Sequence, residues 1–262
     1  MPELMLRDDC IDLWYTFVDQ ADSESLLVRY RELLPQQEQA GEKRFVFQRD
    51  RDAHLITRAL QRTVLSRYCD VAPSDWEFQT NPQGKPSIAR PEGTSLYFNL
   101  SHTRGLIVCA VASSEALGVD VENVRRDSGD VDLAHRYFAP SEVAALTAHP
   151  SERQRDVFFD FWTLKESYIK ARGMGLSLPL DGFAFTLSPQ QPPRIAFTSA
   201  IPDDPARWWF AQIRLGEQYQ IALASGAPGL EDRQVRLMET VPLSPDREVR
   251  VLKASVANHW VL

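Results

Sequence analysis

The order in which backbone periodicities follow one another constrains this chain more than any single stretch does. Residues 11–18 (IDLWYTFV) mix apolar and aromatic residues in strand fashion, and 22–62 read mostly as helix. Short strands are expected at 76–79 and 96–100, around a Pro/Gly-rich connection holding Gly84, Lys85 and Pro86. The apolar run Leu106–Ala112 and the alternating run Leu117–Glu122 read as the arms of a hairpin closed by Ser113–Glu115. Helix returns at about 130–149 and at Asp156–Arg172, where Gly173 is a stop, and strands follow at 183–187, 194–198, 207–214 and 218–224. This order predicts two α+β halves meeting near residue 115, with the cleft between them as the default ligand site.

At 262 residues the chain can bury a sizeable core, and 44% hydrophobic with 25% charged residues excludes a disordered or collagen-like chain. The net charge of −7 argues against a general nucleic-acid binder. Against that average, Glu42–Tyr68 is rich in arginine, with Phe45, Ala53, Ile56, Leu60, Val64 and Leu65 at helical spacing. It reads as one basic amphipathic helix or two in series. Cys10, Cys69 and Cys109 make neither a C-x-x-C pair nor a zinc spacing, so a reducing cytoplasm is the expected setting. Asp8, Asp9 and Asp12 stand where a signal peptide needs a basic start, and the longest aliphatic run has a strand's length, so neither export nor a membrane is expected.

Three constellations can carry chemistry. In Gly118-Val119-Asp120-Val121-Glu122, strand alternation puts both valines on one face and both carboxylates on the other. Two oxygen ligands at i and i+2 suit Mg²⁺ beside a phosphate, although a solvated strand face has the same pattern. In the helix around Trp162, Glu166 and Lys170 share a face at i, i+4. They offer a third carboxylate and an ammonium for phosphate charge, or simply a surface ion pair. Lysine is scarce here, five residues among 29 cations, yet Lys85, Lys165 and Lys170 all fall in these segments. Finally, Asn99-Leu100-Ser101-His102 ends an apolar strand and can either hold a pyrophosphate or only make a turn.

Taken together, these segments resemble the single-chain, two-half Sfp-type 4′-phosphopantetheinyl transferases. The likeness covers about residues 40–185 and rests on Gly84-Lys85-Pro86, Asn99-Leu100-Ser101-His102, Gly118-Val119-Asp120-Val121-Glu122 and Trp162-Thr163-Leu164-Lys165-Glu166-Ser167-Tyr168-Ile169-Lys170-Ala171 in the family's order, followed by Gly173-Met174-Gly175-Leu176. It implies an α+β fold of two pseudo-twofold-related halves, 1–115 and 116–262. Each half is a small, mainly antiparallel sheet packed with helices, and the active site lies at their interface.

The resemblance also implies an activity: transfer of 4′-phosphopantetheine from coenzyme A to a serine of an acyl or peptidyl carrier protein, releasing 3′,5′-ADP. Asp120, Glu122 and Glu166 match the residues that hold Mg²⁺. Glu166, directly or through a metal-bound water, is the candidate to accept the serine proton, and Lys170 matches the lysine at the departing oxygen. Ser101 and His102 match pyrophosphate and 3′-phosphate contacts, Lys85 the loop lysine near the adenine, and Arg49 an arginine on the 3′-phosphate. Lys165 is a further phosphate contact or a structural neighbour. Glu142 falls near the carrier serine or merely starts a helix, and Arg125, Arg126, Arg136, Tyr137 and Phe138 are candidate carrier contacts. Where some relatives have further coenzyme-binding lysines, this chain has Glu38 and Gly41. A monomer is expected. The competing readings are a non-catalytic coenzyme A or carrier-binding module and a Mg²⁺-dependent phosphohydrolase.

Overall fold

The computed structural model describes residues 4–125, 130–226, 233–245, 248–252 and 259–262. The first half runs β1 (Cys10–Phe17), α1 (Val18–Ala21), α2 (Glu24–Leu33), α3 (Gln36–Gln39), α4 (Gln48–Leu65), β2 (Glu77–Thr80), β3 (Pro86–Arg90), β4 (Tyr97–Thr103) and β5 (Leu106–Ala112). The second runs β6 (Leu117–Asn123), α5 (Asp130–Tyr137), α6 (Pro140–Thr147), α7 (Ser151–Arg172), β7 (Phe183–Ser188), β8 (Gln191–Phe197), β9 (Trp208–Leu215) and β10 (Tyr219–Gly226). Both halves use one plan: a strand, a long helix, a two-stranded side sheet and then two more strands. The strands pair in equivalent orders, β1-β5-β4 and β6-β10-β9. The expected pair of related α+β halves is therefore what forms.

The core has three apolar layers, and the middle one holds the halves together. Ile11, Leu13 and Tyr15 of β1 and alternate residues of β5 face Val119, Val121 and the inner sides of β9 and β10, so the two sheets pack on each other. The outer face of the first sheet, with Trp14, Ile107, Cys109 and Val111, is covered by Leu55, Ile56, Ala59, Leu60 and Val64 of α4. The outer face of the second is covered by the aromatic side of α7, with Phe158, Phe161 and Tyr168. Because β5 lies between a helix layer and the other sheet, all seven of its residues are buried, which explains its unbroken apolar run.

The chain departs from expectation at several points. Leu106–Ala112 and Leu117–Glu122 do not form a hairpin: β5 pairs with β1 and β4, whereas β6 pairs with β10 in the other sheet. Local alternation identifies a strand but not its partner. The division at 115/116 is crossed by the C-terminal segment, where β11 (Gln234–Glu239) and β12 (Glu248–Leu252) extend the first sheet beside β1, and β13 (His259–Val261) extends the second beside β9. The segment from Glu42 to Tyr68 is interrupted at Phe45–Phe47, where Arg51 Nε donates to the Phe45 carbonyl at 2.9 Å.

The two sheets also meet along an edge. Strands β4 and β6 run side by side in the same direction, and side chains replace the usual backbone ladder. Asn99 Oδ1 accepts from Val119 N at 2.8 Å, Ser101 Oγ from Val121 N at 3.2 Å and Thr103 Oγ1 from Asn123 N at 3.2 Å. Every second residue of β4 thus satisfies every second amide of β6, which leaves no buried edge donor orphaned at those positions.

Candidate active site

The alternation of β6 delivers its carboxylates where the sequence puts them. Val119 and Val121 point into the layer between the sheets, so Gly118, Asp120 and Glu122 face α7. Asp120 Oδ1 receives Lys170 Nζ at 2.7 Å, with side-chain exposures of 8% and 28%, so the pair is partly shielded from solvent. Ser101 Oγ lies 2.8 Å from the same ammonium and 3.0 Å from the same carboxylate oxygen. One hydroxyl thus connects β4, β6 and α7.

Glu166 stands one helical turn before Lys170. Burial and, secondly, the charge of Asp120 push its carboxyl up to about 6, and Lys170 only partly opposes them. Glu122 lies two residues beyond Asp120 on the same strand face, where Thr103 Oγ1 donates to Oε2 at 3.4 Å. A cavity of about 240 Å³ beside this cluster is lined by Gly84, Lys85, Pro86, Asn99, Leu100, Glu166, Lys170, Gly173 and Gly175. Gly84 and Gly175, on two different segments of the chain, meet there. A larger cleft of about 1000 Å³ lies across Lys85 and Gly173 from it, but Glu166 and Lys170 line only the smaller one, and Asp120 and Glu122 line neither. Chemistry, not size, singles out the smaller space.

The other expected residues are placed less uniformly. His102 opens to solvent while Ser101 is buried. Desolvation and then the Lys170 charge lower the His102 pKa, against Asp120 and Asp50. Arg49 is 70% exposed at the start of α4, with Asp50 Oδ1 at 3.5 Å. Lys85 directs its ammonium to three backbone carbonyls, those of Glu115, Leu117 and Ala171, at 3.0–3.3 Å. Burial pulls its pKa down to about 8. The expected coenzyme contact is thus engaged in binding protein backbone.

Lys165 fits the second of its two readings. Its side chain is fully buried, pairs with the fully buried Glu142 at 2.8 Å and donates to the carbonyls of Leu180 and Phe183. It is turned into the aromatic layer, with the Phe183 ring 4.3 Å from Nζ, and is a structural neighbour rather than a phosphate contact. Of the two readings of Glu142, the contacts fit the helix start: its oxygens accept from Ala139 N and Phe185 N, at the start of α6 and on β7. Desolvation pushes Glu142 up and Lys165 down, and the opposite charge of each partner opposes the shift in the other. Among the expected carrier contacts, Phe138 is buried at 5% exposure and Arg126 lies outside the described residues. Arg125 reaches Glu217, and Arg136 lies over the Tyr137 ring.

Sequence reasoning missed the bridging roles of Asn99 and Thr103 and the whole contribution of Asn81. The available signal was polar residues at alternate positions 99, 101 and 103, on one face of the strand.

Comparison with known proteins places the chain in a family. Residues 116–224 match the family model of the 4′-phosphopantetheinyl transferase superfamily, and 21–115 match that of the 4′-phosphopantetheinyl transferase N-terminal region. The 4′-phosphopantetheinyl transferase HetI of Nostoc sp. is 34% identical over 210 residues, covering 78% of this chain and 87% of that protein. The 4′-phosphopantetheinyl transferase Sfp of Bacillus subtilis is 30% identical over 212 residues, covering 81% and 91%. With both halves matched and the four motif segments gathered around one carboxylate–ammonium cluster, the chain belongs to the 4′-phosphopantetheinyl transferase family of enzymes.

Proposed function

We propose that this enzyme transfers 4′-phosphopantetheine from coenzyme A to a serine of an acyl or peptidyl carrier protein and releases 3′,5′-ADP, with Mg²⁺ as cofactor. The observation that carries the reading is the coupling of Asp120, Glu166 and Lys170 beside the cavity where Gly84–Pro86 and Asn99–Leu100 converge. The residues fit a hard divalent cation in their chemistry. Asp120 Oδ2 is buried without a hydrogen-bond partner, and the Glu166 carboxyl is raised by the neighbouring charge, which a cation would relieve. Asp120 and Glu166, with Glu122, would hold it. Among the described residues no three such side chains already close on one point, and Lys170 occupies Asp120 Oδ1 instead.

When bound, Mg²⁺ would neutralise pyrophosphate charge. The chain's own residues account for the rest. The carrier serine oxygen attacks the phosphorus that bears pantetheine, and the bond from that phosphorus to the 3′,5′-ADP oxygen breaks. Glu166 accepts the serine proton, and the Lys170 ammonium hydrogen-bonds the departing oxygen. Asp120 and Ser101 hold that ammonium in place.

A location in the cytoplasm and a monomeric state are part of the same proposal. All three cysteines are free, and no helix among the described residues is long and apolar enough to cross a membrane. Incubation with coenzyme A, Mg²⁺ and a panel of apo-carriers tests the activity by mass spectrometry. The expected result is a phosphopantetheine mass gain that Asp120→Ala abolishes without unfolding. Binding without mass gain would favour a binding module, and phosphate release without a carrier a phosphohydrolase.

A further inference from the structure

The last carbonyls of an α-helix lack partners within the helix, and cations are favoured there. In α7, which carries Glu166 and Lys170, partners for the terminal carbonyls come from the other half of the molecule. Lys85 Nζ donates to Ala171 O at 3.0 Å, and Asn81 Nδ2 donates to Gly173 O at 2.7 Å. The same ammonium reaches Glu115 O and Leu117 O at 3.3 and 3.2 Å, on the segment that leads into β6 and Asp120. Its three protons face three carbonyls, so none is spare for a phosphate.

Asn81 also shapes the turn that presents this lysine, because its Oδ1 accepts from Gln83 N at 3.0 Å and Lys85 N at 2.8 Å. Gly173 reserves the space for both. It ends α7 at φ +62°, and a Cβ there would lie 3.0 Å from Lys85 Cδ and 3.1 Å from Asn81 Nδ2.

We propose that Asn81 and Lys85 are positioning residues: the 81–85 turn clasps the end of α7 to the start of β6 and so sets the separation of Glu166 and Lys170 from Asp120. Its kinetic consequence rests on the transfer reaction proposed above, whereas its structural consequence does not. Amide hydrogen exchange on the full chain without substrate, direct coenzyme A binding and steady-state kinetics together test it. For Lys85→Met and Asn81→Ala, exchange at residues 171–173 should accelerate by about tenfold or more. Turnover should fall by about tenfold while the coenzyme A dissociation constant moves less than about threefold.

Unchanged exchange, or coenzyme A affinity lost in step with turnover, would overturn the proposal and return Lys85 to the ligand. If Lys85→Met does not fold, Asn81→Asp keeps the oxygen that shapes the turn and removes the donor to Gly173 O, and it must give the same pattern. Failure of the wild-type chain to modify any carrier would sink the transferase reading alone, since the exchange result is read on the protein by itself.

Discussion

Gly118 rests its α-carbon directly on the Ser167 carbonyl. A side chain at 118 would overlap that oxygen and lie 2.5 Å from Ala171 N, so strand and helix touch with no room between them. Asp120 of β6 and the pair Glu166 and Lys170 of α7 are brought within reach of each other by this absence of a Cβ. Gly118→Ala should therefore cost about 3 kcal/mol of stability in urea unfolding and disproportionately reduce turnover, since both neighbours are backbone and neither can rotate away. Wild-type stability in that variant would show that β6 and α7 are free to move apart.

The raised carboxyl of Glu166 opposes folding at neutral pH. Its folded pKa of about 6 exceeds the ordinary value of 4.5, so the stability associated with the protonated form is present below pH 4.5 and lost as pH rises through 6. Glu166→Gln imitates the protonated form. It should gain about 1–2 kcal/mol at pH 7.5 and about nothing at pH 4, while losing carrier modification. Thermal unfolding at the two pH values checks this, and an equal effect at both would remove the electrostatic explanation.

Lys165→Met leaves the Glu142 carboxylate fully buried with only the amides of Ala139 and Phe185. The expected cost is about 3–5 kcal/mol, read by denaturant melts. Coenzyme A affinity should be unchanged in whatever fraction folds. A stable variant with weakened coenzyme A binding would reinstate a phosphate role for Lys165.

Arg49, exposed at the first turn of α4, is the residue that the family resemblance implies for the 3′-phosphate. Arg49→Ala should weaken coenzyme A by about tenfold and leave dephospho-coenzyme A nearly unaffected, as measured by competition binding. Equal losses for the two ligands would take Arg49 out of that subsite.

How far the sequence could be read depended on whether the deciding contact was local. Val119 and Val121 alternate with Asp120 and Glu122, and that period alone establishes which face carries the carboxylates. The partner of β6 was not legible, because a strand's pattern does not say which sheet it joins, and β11 pairs with β1 across more than 200 residues, with β12 on its far side. Lys165 and Lys170 look alike in sequence, but their helical neighbours do not. Phe158, Phe161, Tyr168 and Ile169 surround position 165 at −7, −4, +3 and +4 and are all buried, so that lysine had to turn inward. Lys85 could not be assigned from its own loop, since its three acceptors lie 30 to 86 residues away.

The junction between β4 and β6 has a consequence of its own. An ordinary strand ladder is made of atoms that every residue possesses, so it survives nearly any substitution and carries no information about who its neighbour should be. Here the neighbour is recognised by three particular side chains, those of Asn99, Ser101 and Thr103. The alignment of the two halves is in that sense encoded, letter by letter, and single-residue replacements can rewrite it while leaving both cores untouched.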